Sequence, residues 1–114
     1  MTQSPLSVVQ IGATGAVGGH VADTLSRMPD VSKVTLLGRR RLEGLTSDSV
    51  AQITIDLFDP STYEATLPGH DAAVCTLGVG QPSAVSRDEL VRVDKTAVLA
   101  FASSCRNADR KSVV

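Results

Sequence analysis

A formal net charge of −1, from 11 basic and 12 acidic side chains, leaves this sequence almost no long-range field. It has nothing with which to gather nucleic acid or an anionic membrane surface. Cysteine is scarce. Cys75 and Cys105, in what read as a buried strand and a helix and without a C-x-x-C, exclude a disulfide-framed secreted domain and fit a reducing, cytoplasmic setting. His20 and His70 stand at no metal-ligand spacing from each other or from the cysteines, so no zinc site is expected. No apolar run approaches the roughly 20 residues needed to span a bilayer, and the opening MTQSPLS has neither the basic nor the apolar region of a secretory signal. Repeats and low-complexity segments are missing too. Tyr63 is the only tyrosine, and Leu67 stands four residues after it. What is present, 42% hydrophobic and 20% charged residues in a chain of 114, suffices for one core, so residues 1–114 are expected to form a single domain.

The apolar pattern alternates between two periods. Ser7 to Ile11 is a short β-branched run that stops at a glycine, as a strand does before a turn. Val17, Val21, Leu25 and Met28 then recur at helical spacing, which predicts an amphipathic helix over 16–28 ended by Pro29. Lys33 to Leu37 reads as a second strand and Val50 to Ile55 as a third. Asp59-Pro60 has the form of an N-cap with proline in the first turn of a short helix, which Pro68-Gly69 ends. Asp71 to Leu77 is the expected fourth strand, and Gly78 to Pro82 a loop. Ser86-Arg87-Asp88-Glu89 has the form of a capping box before a long helix whose apolar stripe is Leu90, Val93, Ala97, Val98 and Phe101. Lys111 to Val114 reads as the start of a fifth strand. Alternating strands and helices imply right-handed βαβ crossovers and a parallel α/β sheet, with expected order 3-2-1-4 and the fifth strand beyond the fourth. Ligands bind such a sheet where the connections reverse, at the carboxyl ends of strands one and four.

Gly12-Ala13-Thr14-Gly15-Ala16-Val17-Gly18 falls at that place. A G-x-x-G-x-x-G run is weak alone, but between a strand and an amphipathic helix each glycine has a physical role in a dinucleotide site. Gly12 permits the tight turn, Gly15 lets the backbone approach a pyrophosphate, and Gly18 lets the helix pack closely on the strand. The helix start, with its free N–H groups and positive dipole end, favours phosphate. A site preferring NAD usually has a carboxylate at the end of the second strand. Here Gly38-Arg39-Arg40-Arg41 occupies it, and guanidinium groups suit the 2′-phosphate of NADP. NADP is therefore expected ahead of NAD. Asp56 and Leu57 after the third strand read equally as an adenine pocket and as a loop whose aspartate caps its own turn. Cys75, Thr76, Leu77 and Gly78 end the fourth strand beside the glycine loop, and Cys75 reads as a small buried hydrophobe more than a nucleophile.

GATGAVG, KVTLLGRRRL, DAAVCTLG and ELVRVDKTAVLAFA, in this order and spacing, resemble the Tat-interactive-protein oxidoreductases, a branch of the atypical short-chain dehydrogenase/reductases. The resemblance covers residues 7–114. It implies an NADP-binding Rossmann domain, with Gly12, Thr14, Gly15, Ala16, Val17 and Gly18 at the pyrophosphate. It also implies Arg39 and Arg40 at the 2′-phosphate, Asp56 and Leu57 by the adenine, and Cys75 to Gly78 along the cofactor. In that family the acid–base pair is a tyrosine and a lysine four residues apart after the fifth strand, and no Tyr-x-x-x-Lys occurs here.

The expectation is the amino-terminal, cofactor-binding portion of a longer NADP-dependent reductase, which would pass a hydride between nicotinamide and a carbonyl or alcohol. Alone it would bind nucleotide weakly or not at all and turn over no substrate. A non-catalytic NADP-sensing module and an inactive fragment are the alternatives. An unpaired fourth-strand edge would favour self-association.

Overall fold

In the computed structural model of the chain the described residues are 5–45, 47–78 and 86–108. The loop expected beyond Gly78 and the strand expected from Lys111 lie outside them. Four strands, β1 (Leu6–Ile11), β2 (Val31–Gly38), β3 (Val50–Thr54) and β4 (Ala72–Cys75), form one sheet in the order β3-β2-β1-β4, every neighbouring pair parallel. This is the Rossmann arrangement expected from the alternating periods. Register decides where the loops emerge. Ile11, the last residue of β1, pairs with Leu37 on one side and Cys75 on the other, so the chain leaves β1, β2 and β4 at one level.

The central strands are buried on both faces, as a sheet covered by crossovers requires. On one face Val8, Ala13, Ala22, Val31, Val34 and Leu36 pack under helix α1 (Ala16–Arg27). On the other, Val9, Ile11, Leu37, Leu57, Tyr63, Leu67, Ala73, Phe101 and Cys105 form the larger cluster. There the Tyr63 and Phe101 rings meet at 5.9 Å in a tilted pair. His70, at the opposite end of the sheet from the emerging loops, is buried with both ring nitrogens engaged. Its Nδ1 donates to the Leu67 carbonyl at 3.1 Å, and its Nε2 lies 2.8 Å from Thr35 Oγ1.

Three local outcomes differ from the sequence reading. Val17 is 71% exposed, and the face of α1 that seats on the sheet is built from Gly18 and Ala22. Small residues let the helix axis come close to the strand, which the larger valine stripe could not do. The short helix after Asp59 is two 3-10 turns, Pro60–Thr62 and Glu64–Thr66, with Asp59 accepting from the Ser61 N–H as expected of the cap. The long helix comprises α2 (Arg87–Val91), a π-helical turn (Arg92–Ala97) and α3 (Val98–Asn107). Ser86 Oγ accepts from the Glu89 N–H at 3.1 Å, giving one arm of the capping box. The Glu89 carboxylate lies instead 3.9 Å from Arg92. The wider π turn keeps Val93, Ala97 and Phe101, spaced by four, on the buried side.

Candidate nucleotide-binding site

The loops leaving β1, β2 and β4 enclose a cleft of about 260 Å³ lined by Gly12, Thr14, Gly15, Gly38, Arg39, Arg40, Leu57, Thr76, Leu77, Gly78 and Val93. The glycine loop forms its centre. Gly12 has φ +94°, and a Cβ on it would fall 2.6 Å from both Leu77 N and Thr76 C, so sterics and backbone conformation both require glycine. Gly18 is constrained by packing alone: its missing Cβ would lie 2.1 Å from Gly12 O and 2.7 Å from Thr76 Oγ1. Gly15 differs from both. The nearest atom to its Cβ position is 3.9 Å away and the residue is exposed, so the space beside it is open to a ligand. It is also the N-cap of α1, without a side-chain acceptor for the first-turn N–H groups and with no acidic residue in that turn. Unpaired donors, the helix dipole and an open backbone fit a phosphate.

A buried polar clip holds this loop against β4. Gln10, fully buried in β1, donates from Nε2 to Gly18 O at 2.9 Å and to Thr76 Oγ1 at 3.0 Å, and Thr76 Oγ1 donates to Ile11 O at 3.1 Å. The strand ending, the first turn of α1 and the cleft-lining Thr76 are thus tied to one another. Gln10 Oε1 is buried with no hydrogen-bond partner. Leaving a buried acceptor unmet costs about 1–3 kcal/mol, which apolar residues in its place would avoid. The hydrophobic pattern of β1 concealed this residue, because one glutamine inside a β-branched run reads as part of the strand.

At the β2 end, Arg39 and Arg40 are exposed and line both this cleft and an adjoining hollow of about 400 Å³ shared with Thr14. Neither ion pair among the described residues, Arg27 with Asp23 and Arg92 with Glu89, involves them. Leu57 lines the cleft. Asp56 turns its carboxylate to its own loop, Oδ1 accepting from the Phe58 N–H at 2.9 Å. Thr76, Leu77 and Gly78 line the opposite side, while Cys75 packs partly into the larger core cluster, where burial pushes its thiol above the ordinary value. Ala16 and Val17 are exposed in the first turn of α1 without lining the cleft. Val93 and Gly38 line it although the sequence singled out neither as a site residue. Val93 looked like one more core position of a helical stripe, and it is one, buried in the π turn with its side chain also forming part of the cleft wall. Among the described residues no three His, Cys, Asp or Glu side chains come together as a metal site requires. No described helix is long and apolar enough to cross a membrane.

No protein-family model matches the chain. Among curated proteins it is 35% identical over 108 residues to Protein HTATIP2 of Rattus norvegicus, covering 89% of this chain and 44% of that protein. It is 28% identical over 113 residues to the mitochondrial protein fmp52 of Aspergillus clavatus, covering 95% and 48%. Among solved structures, uronate dehydrogenase from Agrobacterium tumefaciens superposes with a TM-score of 0.74 at 16% identity, over 92% of this chain and 38% of that one. A mutant of that dehydrogenase was solved in complex with NAD. The chain thus spans less than half the length of the relatives it matches. Within that span the resemblance to the Tat-interactive proteins holds, and the fold is the Rossmann arrangement shared with that dehydrogenase.

Proposed function

We propose that this chain is the NADP-binding portion of a short-chain-type oxidoreductase, with the glycine loop cradling the pyrophosphate and Arg39 and Arg40 receiving the 2′-phosphate. The observation that carries this reading is that one cleft is walled by both an open helix start at Gly15 and a pair of guanidinium groups that form no ion pair with a carboxylate among the described residues. A phosphate at each place answers a physical need: unpaired N–H donors at one, unneutralised positive charge at the other. When bound, the nicotinamide supplies hydride transfer to or from a carbonyl or alcohol.

This stretch of chain contributes binding and orientation. Gly12 and Gly18 bring the loop close to β4, and Gln10 fixes that approach. Leu57 offers an apolar wall on the adenine side, and Thr76 to Gly78 border the nicotinamide side. Cys75 and Cys105, as thiols, suit a reducing compartment such as the cytosol.

Calorimetric titration tests the reading. NADPH is expected to bind more tightly than NADH, and Arg39→Asp to reverse the order by replacing attraction for the 2′-phosphate with repulsion. Equal affinities for both nucleotides in the native chain would overturn the assignment.

A further inference from the structure

Arg39, Arg40 and Arg41 form an arch between β2 and the segment that leads to β3, and both feet of the arch are fixed. On one side Gly38, the last residue of β2, accepts from the Ile55 N–H at 2.8 Å. On the other, the side-chain amide of Gln52 reaches across from β3 and engages the backbone of Leu42 twice. Gln52 Oε1 accepts from the Leu42 N–H at 2.7 Å, and Gln52 Nε2 donates to the Leu42 carbonyl at 3.0 Å. This is the pairing one strand offers another, supplied by a side chain. Gln52 lies opposite Leu36 in the parallel register and so shares its face of the sheet, where the Leu42 side chain also packs against the smaller core cluster. The residue that follows the arginines is therefore held by two hydrogen bonds and by apolar burial.

We propose that Gln52 is a positioning residue that sets the preference of the site for a 2′-phosphorylated adenosine, by holding the arginine arch in the conformation that presents Arg39 and Arg40 to the cleft. The inference rests on the reading of the cleft as an NADP site. Exposed arginines on an untethered loop must be ordered when the phosphate binds, whereas a fixed arch has lost that freedom already. The saving is in backbone ordering of the arch, and pre-fixing about one residue's worth corresponds to about tenfold in affinity. The gain falls only on ligands that carry the 2′-phosphate, because the pyrophosphate is met by a different element, the glycine loop.

The test compares the native chain with Gln52→Met, which keeps the length and removes the amide, and with Thr54→Val, a change on the same strand outside the clasp. Dissociation constants are measured for NADP+ and NAD+, together with hydrogen exchange at the Leu42 amide. Gln52→Met is expected to weaken NADP+ about tenfold, to leave NAD+ unchanged, and to speed exchange at Leu42, while Thr54→Val changes none of these. A Gln52→Met variant that keeps its NADP+ preference, or that loses both nucleotides equally, overturns the inference and leaves the NADP reading standing. Absence of any preference in the native chain overturns the NADP reading and this inference with it. Unchanged exchange at Leu42 overturns the clasp whatever the nucleotides do.

Discussion

Replacing Gly18 with alanine sets helix propensity against packing, and the structure says which wins. Ala is favoured over Gly inside a helix by about 1 kcal/mol, so the sequence of α1 alone predicts a more stable protein. In the fold, the new Cβ would meet Gly12 O at 2.1 Å, Thr76 Oγ1 at 2.7 Å and Ala13 Cα at 3.0 Å. Two of these atoms are backbone, so moving the Thr76 side chain does not relieve the clash, and α1 must lift off β1 by about an ångström to restore ordinary contact. Overpacking of this kind costs about 1–3 kcal/mol. Lifting the helix also draws Gly18 O away from Gln10 Nε2, a loss of about 1 kcal/mol for a typical intramolecular hydrogen bond. With the propensity gain subtracted, Gly18→Ala is expected to lose about 1–3 kcal/mol, which for a domain of this size lowers Tm by roughly 5–20 °C. Gly19→Ala is the internal control: its nearest neighbour would be Ala13 O at an unstrained 3.6 Å. That variant should gain stability by up to about 1 kcal/mol. Thermal and denaturant unfolding of the two variants beside the native chain read the difference directly. A Gly18→Ala protein as stable as Gly19→Ala would refute the packing argument.

Gly15→Ala should separate binding from folding: with open space where its Cβ would stand, Tm should stay within about 2 °C while NADPH affinity falls at least about tenfold, and an unchanged affinity would remove the pyrophosphate from Gly15. Arg39→Asp, measured by the same calorimetry, should invert the NADPH and NADH order without changing the unfolding midpoint, since the residue is exposed. Burial raises the Cys75 thiol above its ordinary 9.0 and the Tyr63 hydroxyl above its ordinary 10.0. The folded state therefore favours both neutral forms, so their contribution is whole below about pH 9 and is lost as rising pH ionises the unfolded chain first. The denaturant midpoint should hold to about pH 8.5 and fall above it, whereas a midpoint rising through that range would contradict the assigned burial.

Most of the scaffold was legible because it rests on periodicity. The β-branched runs and the switch to helical spacing after Gly12 became the elements they suggested, the Asp59 cap formed ahead of 3-10 turns, and the strand order followed from handedness. The positions that escaped are those where a residue acts against its type. Val17 looked apolar and stands exposed because glycine and alanine, carrying little hydrophobic signal, form the seat of α1. Gln10 and Gln52 looked like ordinary strand residues, since a side-chain amide that pairs with the backbone of a neighbouring loop or helix leaves no periodic pattern. Val93 is the core residue its spacing suggested and also forms part of the cleft wall, which no apolar spacing foretells. The glycine loop and the arginines could be found because their chemistry is unusual where they stand. The groups that hold them in place are chemically unremarkable, and only the fold brings them together.

If one cleft receives NADP across two elements, amide-resolved titration should see both elements respond to the same ligand. On addition of NADPH to the isotopically labelled chain, the resonances of Gly12 to Gly18, Arg39, Arg40 and Thr76 to Gly78 should shift together along one binding isotherm, with those of Leu67, His70 and the end of α1 unmoved. With NADH the glycine-loop shifts should persist at higher ligand concentration and those of Arg39 and Arg40 should largely disappear. Shifts centred away from the glycine loop, or identical Arg39 and Arg40 responses to the two nucleotides, would contradict the account.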